Sequence, residues 1–204
     1  MQITQKYSHL NGEEYLIVHH KSLYDEIVNI ITSVNAEDHR TKVSRESRKK
    51  GQTLYSPKAI NKALHVKFAG YDWHESRYKY YITLNRALME ESLSIPYAKQ
   101  KKYLIDHGQE NPIKSYNQTD FVKEKIAVEV QFGKYPFVAY DLFVKHMLFY
   151  SGGVINLGIE VLPTKAMQSE MSSGVAYYEG EVYKVMRHGR NNPPVPLLIL
   201  GVEP

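Results

Sequence analysis

The chain has 204 residues, 43% hydrophobic and 24% charged, with a net charge of +4, which fits one globular domain with a sizeable core and permits a polyanionic partner without demanding one. The absence of cysteine excludes disulfides, a thiolate zinc site and a cysteine nucleophile, and it suits a reducing cytoplasm. No apolar run approaches the ~18 residues that span a bilayer, and the first residues lack a signal-peptide pattern, so a membrane partner is not expected.

Residues 14–20 read as a strand or the approach to a helix. His19 and His20 are adjacent and would face opposite sides of a strand, and no His-x-x-x-His pair occurs, so a zinc reading has little support. A helix is expected from Ser22 to about Val34, with Ser22 as cap and Asp25 completing a capping-box pattern. Leu23, Ile27, Ile30, Ile31 and Val34 form its apolar stripe, which serves the core or, in part, a partner subunit. Residues 40–50 carry six positive charges and one negative. They form either a solvated loop or an arm that grips phosphates through Arg45, Arg48 and Lys49.

Ser56 caps the next helix, with Pro57 at its first position, Ile60, Ala63, Leu64 and Phe68 facing inward, and Gly70 at its end. Residues 78–82 suggest a strand, and 96–107 a lysine-rich helix ended by Gly108. Trp73, the single tryptophan, is expected in the core or at its rim.

Asp120 follows a polar run. Residues 126–132 alternate as a strand, with Ile126, Val128, Val130 and Phe132 on one face and Ala127, Glu129 and Gln131 on the other. A short turn over 122–125 folds Asp120 back beside Glu129. Two carboxylates then converge with an amide, a donor set suited to a hard cation such as Mg²⁺, which takes one or two carboxylates and keeps several waters. The plain alternative is a loop acid, with Glu129 and Gln131 on the wet face of an edge strand.

After this strand, Gly133 and Pro136 open a helix to about Tyr150, with Phe137, Tyr140, Val144, Met147 and Leu148 as its buried face. Residues 154–162 form a second, largely apolar strand, and strand, helix, strand in succession suggests a parallel crossover. Ser172 and Ser173 precede residues 175–186, read as a helix despite Gly180, and serines there are ordinary caps. Residues 195–202 close the chain as a buried strand. No linker, repeat or low-complexity tract interrupts 1–204, so a single domain is expected.

The spacing Asp120, eight residues, Glu129, one residue, Gln131 resembles the PD-(D/E)xK nuclease motif with glutamine in place of lysine. That variant is similar to type II restriction endonucleases of the BglII kind. Residues 115–123 and 137–147, and the chain more broadly from Tyr7 to Pro204, resemble the BstYI-like members of that group. The resemblance implies an α/β fold with a mixed central sheet flanked by helices. It also implies a homodimer that makes Mg²⁺-dependent double-strand cuts at RGATCY in double-stranded DNA, leaving four-base 5′ overhangs. A two-fold dimer matches a palindrome, and a cognate DNA methyltransferase accompanies such enzymes. By the same resemblance Asp120 and Glu129 hold the metal together with the carbonyl of Val130. Gln131 stands at the lysine position, where an amide can orient water but cannot take up its proton.

Lys134, Ser172 and Ser173 are expected to border the major groove. A lysine can donate to N7 of either purine, and a serine hydroxyl can donate or accept, so the three tolerate both outer base pairs. Two other readings share these residues: a DNA-binding protein that does not cut, and a repair nuclease with little sequence preference.

Overall fold

A computed structural model describes all residues, Met1–Pro204, and they fall into two compact units, Met1–Ser76 with Thr119–Pro204, and Arg77–Gln118. The main sheet has six strands in the order β1 (Gln2–His9), β8 (Leu197–Glu203), β7 (Leu157–Pro163), β6 (Ile126–Val130), β5 (Ile113–Lys123), β4 (His74–Ile82). It is mixed: β8, β7 and β6 run parallel, while β1 pairs antiparallel to β8 and β5 to β6.

In the larger unit the sheet is covered on both faces. Alternation along β8 sends Leu198, Leu200 and Val202 into one core, and Leu197 and Ile199 into a second. The first core holds α1 (Gly12–His19), α2 (Lys21–Thr32) and α3 (Pro57–Ala69) against Ile126, Val128 and Val130. All five predicted stripe residues of α2 are buried there, so none is available to a partner. Ser56 caps α3 by accepting from the Ala59 amide, as expected. Ser22 does not cap α2; it lies within the helix, and Asp25 instead pairs with Lys21 one turn back. Residues 14–19 are helical rather than extended, and His20 ends the helix. Trp73 is buried and donates its indole N–H to Glu26 at 2.7 Å.

The other face is covered by α6 (Tyr135–Tyr140), a π-helical turn (Asp141–Lys145), α7 (His146–Ser151) and α9 (Tyr178–His188), and the second core draws Val138 and Leu142 from the first two and Val185 from α9. The first three form one continuous helix between parallel strands β6 and β7, the expected crossover. Its buried side is not the predicted one. Val138, Leu142 and Phe149 point inward, while Phe137 (57% exposed), Tyr140, Val144 (45%) and Met147 (37%) point out. The helix α9 begins only at Tyr178, so Ser172 and Ser173 lie in the loop ahead of it and cap nothing. A short α8 (Lys165–Ser169) follows β7, with Thr164 as its cap.

Residues 40–54 form a small hairpin, β2 (Lys42–Val43) with β3 (Thr53–Leu54), rather than an irregular loop. The smaller unit carries α4 (Arg86–Ser92) and α5 (Tyr97–Asp106). Gln100 ties it together, accepting from the Tyr81 amide at 3.0 Å and donating to the Ser92 carbonyl at 3.1 Å. No helix is long and apolar enough to cross a membrane.

Candidate active site

Asp120 is a strand residue, not a loop residue: it lies in β5, which turns directly into β6. The turn is tighter than the spacing suggested. Phe121, Val122 and Lys123 pair with Val128, Ala127 and Ile126, leaving only Glu124 and Lys125 in the bend. Both have positive φ (47° and 66°), the geometry whose twist suits a two-residue hairpin. The Lys125 carbonyl accepts from the Asn156 amide at 2.7 Å, which ties the bend to the residues ahead of β7. One step further along the register, Asp120 faces Glu129, and its amide N–H lies 3.4 Å from Glu129 Oε1.

Strand β6 is central, between β5 and β7, and all five of its residues are buried. Glu129 is 1% exposed, so the wet-edge alternative fails. A carboxylate there needs partners, and a helix supplies one. Lys145 Nζ lies 3.0 Å from Glu129 Oε1 and 2.6 Å from Asp141 Oδ1. Asp141 Oδ2 accepts from Gln131 Nε2 at 3.1 Å, and Gln131 Oε1 accepts from the Gly133 amide at 3.2 Å. The Gln131 amide is thereby held at both ends. A Cβ on Gly133 would meet Gln131 Oε1, so the amide keeps this place only while residue 133 is glycine.

Behind this ring lies a second buried pair. Glu160 on β7 stands in register with Glu129, and His146 Nε2 is 3.4 Å from its carboxylate. Both side chains are fully enclosed. A Cβ on Gly158 would strike the His146 ring, so that glycine makes room for it.

The electrostatics follow from burial and crowding. Burial, then the neighbouring Asp120, push the Glu129 carboxyl up to about 8 against the pull of Lys145. Burial raises Asp141 as well, and raises Glu160 well above the carboxylate range. Burial works against the charge on Lys145, but Glu129 and Asp141 outweigh it and hold the amine above its ordinary value. Burial takes His146 down to about 3, so its ring is neutral.

No group of three or more His, Cys, Asp or Glu side chains is arranged to enclose a metal. Two facing carboxylates and a backbone carbonyl are nevertheless an all-oxygen donor set, and Mg²⁺ is ordinarily bound through one or two carboxylates plus water and phosphate. Beside them, Asn61, Lys62 and His65 of α3 line a cavity of about 260 Å³ with Asp120, Phe121 and Val130. Thus Asp120 and Glu129 face one another, Val130 lines the adjoining cavity, and Gln131 joins them through Asp141 and Lys145, which with the α3 residues come from outside the motif.

The expected DNA-contacting residues gather at a second place. Lys134 bridges to Val175, the Tyr135 amide donates to the Gly174 carbonyl at 3.0 Å, and the Ala176 amide donates to the Gly133 carbonyl at 3.2 Å. The loop with Ser172 and Ser173 therefore runs beside Lys134. The 42–54 hairpin is fastened to the same loop: Lys42 bonds Ser172, Lys49 bonds the carbonyls of Ser169 and Met171, and Glu46 accepts from the Ser173 amide at 2.8 Å. Arg45 and Arg48 are exposed, whereas Lys49 is partly occupied by those carbonyls.

With this geometry in place, the chain matches the family model of the restriction endonucleases BglII and BglIII over residues 4–202. The chain belongs to that family. It is therefore a type II restriction endonuclease, a site-specific deoxyribonuclease. Its fold is similar to restriction endonuclease BglII complexed with a DNA 16-mer, with a TM-score of 0.65 and 18% identity, covering 98% of this chain and 76% of that one. It is similar too to free BglII, with a TM-score of 0.59 and 17% identity, over 100% and 80% of the two chains. No curated protein matches the chain in sequence.

Proposed function

We propose that this endonuclease uses Mg²⁺ to cut both strands of DNA at the GATC-centred palindrome RGATCY, leaving four-base 5′ overhangs. The observation that carries the metal-dependent cleavage reading is the half-buried Asp120 facing the buried Glu129 across the β5–β6 hairpin. The site RGATCY rests on the chain's resemblance to BstYI-like enzymes.

In this reading Asp120, Glu129 and the Val130 carbonyl hold the ion. When bound, the ion acidifies water and offsets charge on the phosphate. The rest is done by the chain. Glu129, buried and facing Asp120, exchanges its Lys145 contact for the cation. Gln131, fixed between Gly133 and Asp141, orients the attacking water through its remaining N–H and lone pair. Lys62 and His65 on the cavity wall lie where an anionic backbone would pass.

The enzyme works as a homodimer, each subunit cutting one strand, with residues 1–204 acting as one endonuclease domain. The outward stripe Phe137, Tyr140, Val144 and Met147 supports this, because a continuous apolar face on one helix suits a second copy related by a two-fold axis. Lys134, Ser172 and Ser173 read the outer base pair loosely, and the exposed Arg45 and Arg48, with Lys49, grip phosphates. The protein works in the cytoplasm beside a methyltransferase that protects host sites.

The deciding experiment is a plasmid digest with and without Mg²⁺. Discrete fragments only with Mg²⁺ support the reading, whereas a smear favours a repair nuclease and intact plasmid a pure binder. Four duplexes, AGATCT, GGATCC, AGATCC and GGATCT, then test the outer pair. All four should be cut within about tenfold of one another, a spread of ~1.4 kcal/mol, and cleavage of only one would overturn the loose reading.

A further inference from the structure

The strand motif places a neutral amide at 131, yet the site is not without a cation. Lys145 reaches Glu129 at 3.0 Å from the crossover helix and is itself largely buried, with 13% of its side chain exposed. It is bound to Asp141, one helical turn before it, and Asp141 holds the Gln131 amide. The four side chains make an unbroken chain of contacts, Gln131 to Asp141 to Lys145 to Glu129. Its two ends are Glu129 on β6 and Gln131 just past the strand's end.

The backbone is shaped to allow this. Asp141–Lys145 is a π-helical turn, closed by the His146 amide on the Asp141 carbonyl. Such turns are rare and collect at functional sites. The wider turn keeps Asp141, Lys145 and His146 directed at the sheet, although the adjoining helix shows its apolar residues to solvent.

We propose that Asp141 and Lys145 are positioning residues of this endonuclease: a helix-borne ion pair that sets the Glu129 carboxylate and the Gln131 amide relative to one another and occupies Glu129 until a divalent cation displaces it. The proposal rests on the reading of Asp120, Glu129 and Gln131 as the cleavage centre. Lys145 makes no contact with substrate in this role. It acts through Glu129, competing with the metal for one carboxylate oxygen and returning that carboxylate to the same place.

Two opposite effects follow. Without the Lys145 charge, cation binding tightens, because a competitor is gone. Turnover falls, because Glu129 and Gln131 are no longer held. The test uses the full-length enzyme on an AGATCT duplex, with Ca²⁺ as a probe of cation binding read by calorimetry. Lys145→Met should lower kcat about 100-fold with KM within about threefold, and tighten Ca²⁺ binding about tenfold. Lys145→Arg should recover most of kcat, since it restores charge and reach. Asp141→Asn keeps an acceptor for Gln131 but leaves Lys145 to Glu129 alone, so it should weaken Ca²⁺ binding severalfold while lowering kcat. This second variant carries the test if Lys145→Met does not fold.

A kcat within about threefold of wild type in both variants, or Ca²⁺ affinity that does not move in opposite directions, would overturn the proposal. Asp120→Ala separates this from the underlying reading. If wild type cuts, Asp120→Ala is inactive and Lys145→Met is unimpaired, the clamp alone is wrong. If wild type itself does not cut, the cleavage reading fails with it.

Discussion

The two sides of the crossover helix, residues 135–151, reverse the usual arrangement of a helix on a sheet. Its inner side carries, beside Val138, Leu142 and Phe149, the buried Asp141 and His146 and the largely buried Lys145, set against β6 and β7. Its outer side carries Phe137, Tyr140, Val144 and Met147, all exposed. The α2 helix obeys the ordinary rule, with Leu23, Ile27, Ile30 and Ile31 inside. The same 3.6-residue periodicity is present in both. What differs is what the buried side must satisfy: the α2 stripe packs into an apolar core, whereas the crossover helix meets Glu129 on β6 and Gln131 just past its end. Buried polar groups draw polar partners inward, and the apolar residues are left for a surface that a second subunit can cover.

Breaking the inner side at its target should have the largest effect. Asp120→Ala is expected to lower cleavage by at least about 1000-fold, while specific DNA binding in Ca²⁺ survives. Near wild-type cleavage would show that the ring of contacts serves stability alone. The outer side comes next. Val144→Lys with Met147→Lys sets like charges against their two-fold mates. Self-association followed by sedimentation should weaken more than about 100-fold, or roughly 2.7 kcal/mol, with folding intact; an unchanged dimer would place the interface elsewhere.

Gly133→Ala sharpens the inner side without touching charge. Its methyl displaces the Gln131 amide and should cost about tenfold in kcat, with little change in melting temperature. Wild-type turnover in this variant would mean that the held orientation of the amide is irrelevant.

A subtler effect is expected in the pH dependence of the metal-free protein. His146 has a folded pKa of about 3 against 6.5, so the folded state holds fewer protons between those values and this contribution is lost as pH falls from 6.5 toward 3. Glu129 has a folded pKa of about 8 against 4.5, so its contribution is present below 4.5 and lost as pH rises toward 8. Burial raises Asp141 and Glu160 in the same sense as Glu129, so above about 4.5 the carboxyls outweigh His146 and melting temperature should fall as pH rises toward 8. His146→Phe should flatten only the acid limb; a loss of the alkaline limb instead would reassign it.

The smallest effect on turnover is expected from neutralising Arg45, Arg48 and Lys49 together. Affinity for specific and unrelated DNA should fall alike, and the slope of log affinity against log salt should flatten by up to ~3. An unaltered slope would leave the hairpin a solvated surface.

Much of this was legible from residue order. The alternation of 126–132 placed Glu129 and Gln131 on one face, and the short spacing to Asp120 required a tight return. Strand, helix and strand implied the parallel crossover. What residue order leaves out has a common cause. Asp141 and Lys145 stand at positions four apart on a helix, which in sequence is indistinguishable from an ordinary solvent-facing ion pair. Val144 and Met147 look like core for the converse reason. Only the neighbouring strand's polar face reverses the assignment, and that is a tertiary fact. The strand β1 was missed because its residues are mostly polar and exposed, with pairing to β8 rather than burial defining it. Ser172 and Ser173 were misplaced as caps because the backbone pairing of Gly133 and Lys134 with Val175 and Ala176 delays the helix to Tyr178.

The fastening of the 42–54 hairpin to the 169–173 loop has a consequence for how specificity can change. Lys42, Glu46 and Lys49 on the hairpin each hold the loop that carries Ser172 and Ser173. If the hairpin grips phosphates and the loop reads bases, hold and choice belong to a single jaw. A substitution that loosened the jaw would weaken attachment and blur discrimination in the same step. Such an enzyme cannot trade fidelity for affinity by altering one segment. A lineage drifting toward a new outer base pair would have to remodel hairpin and loop together.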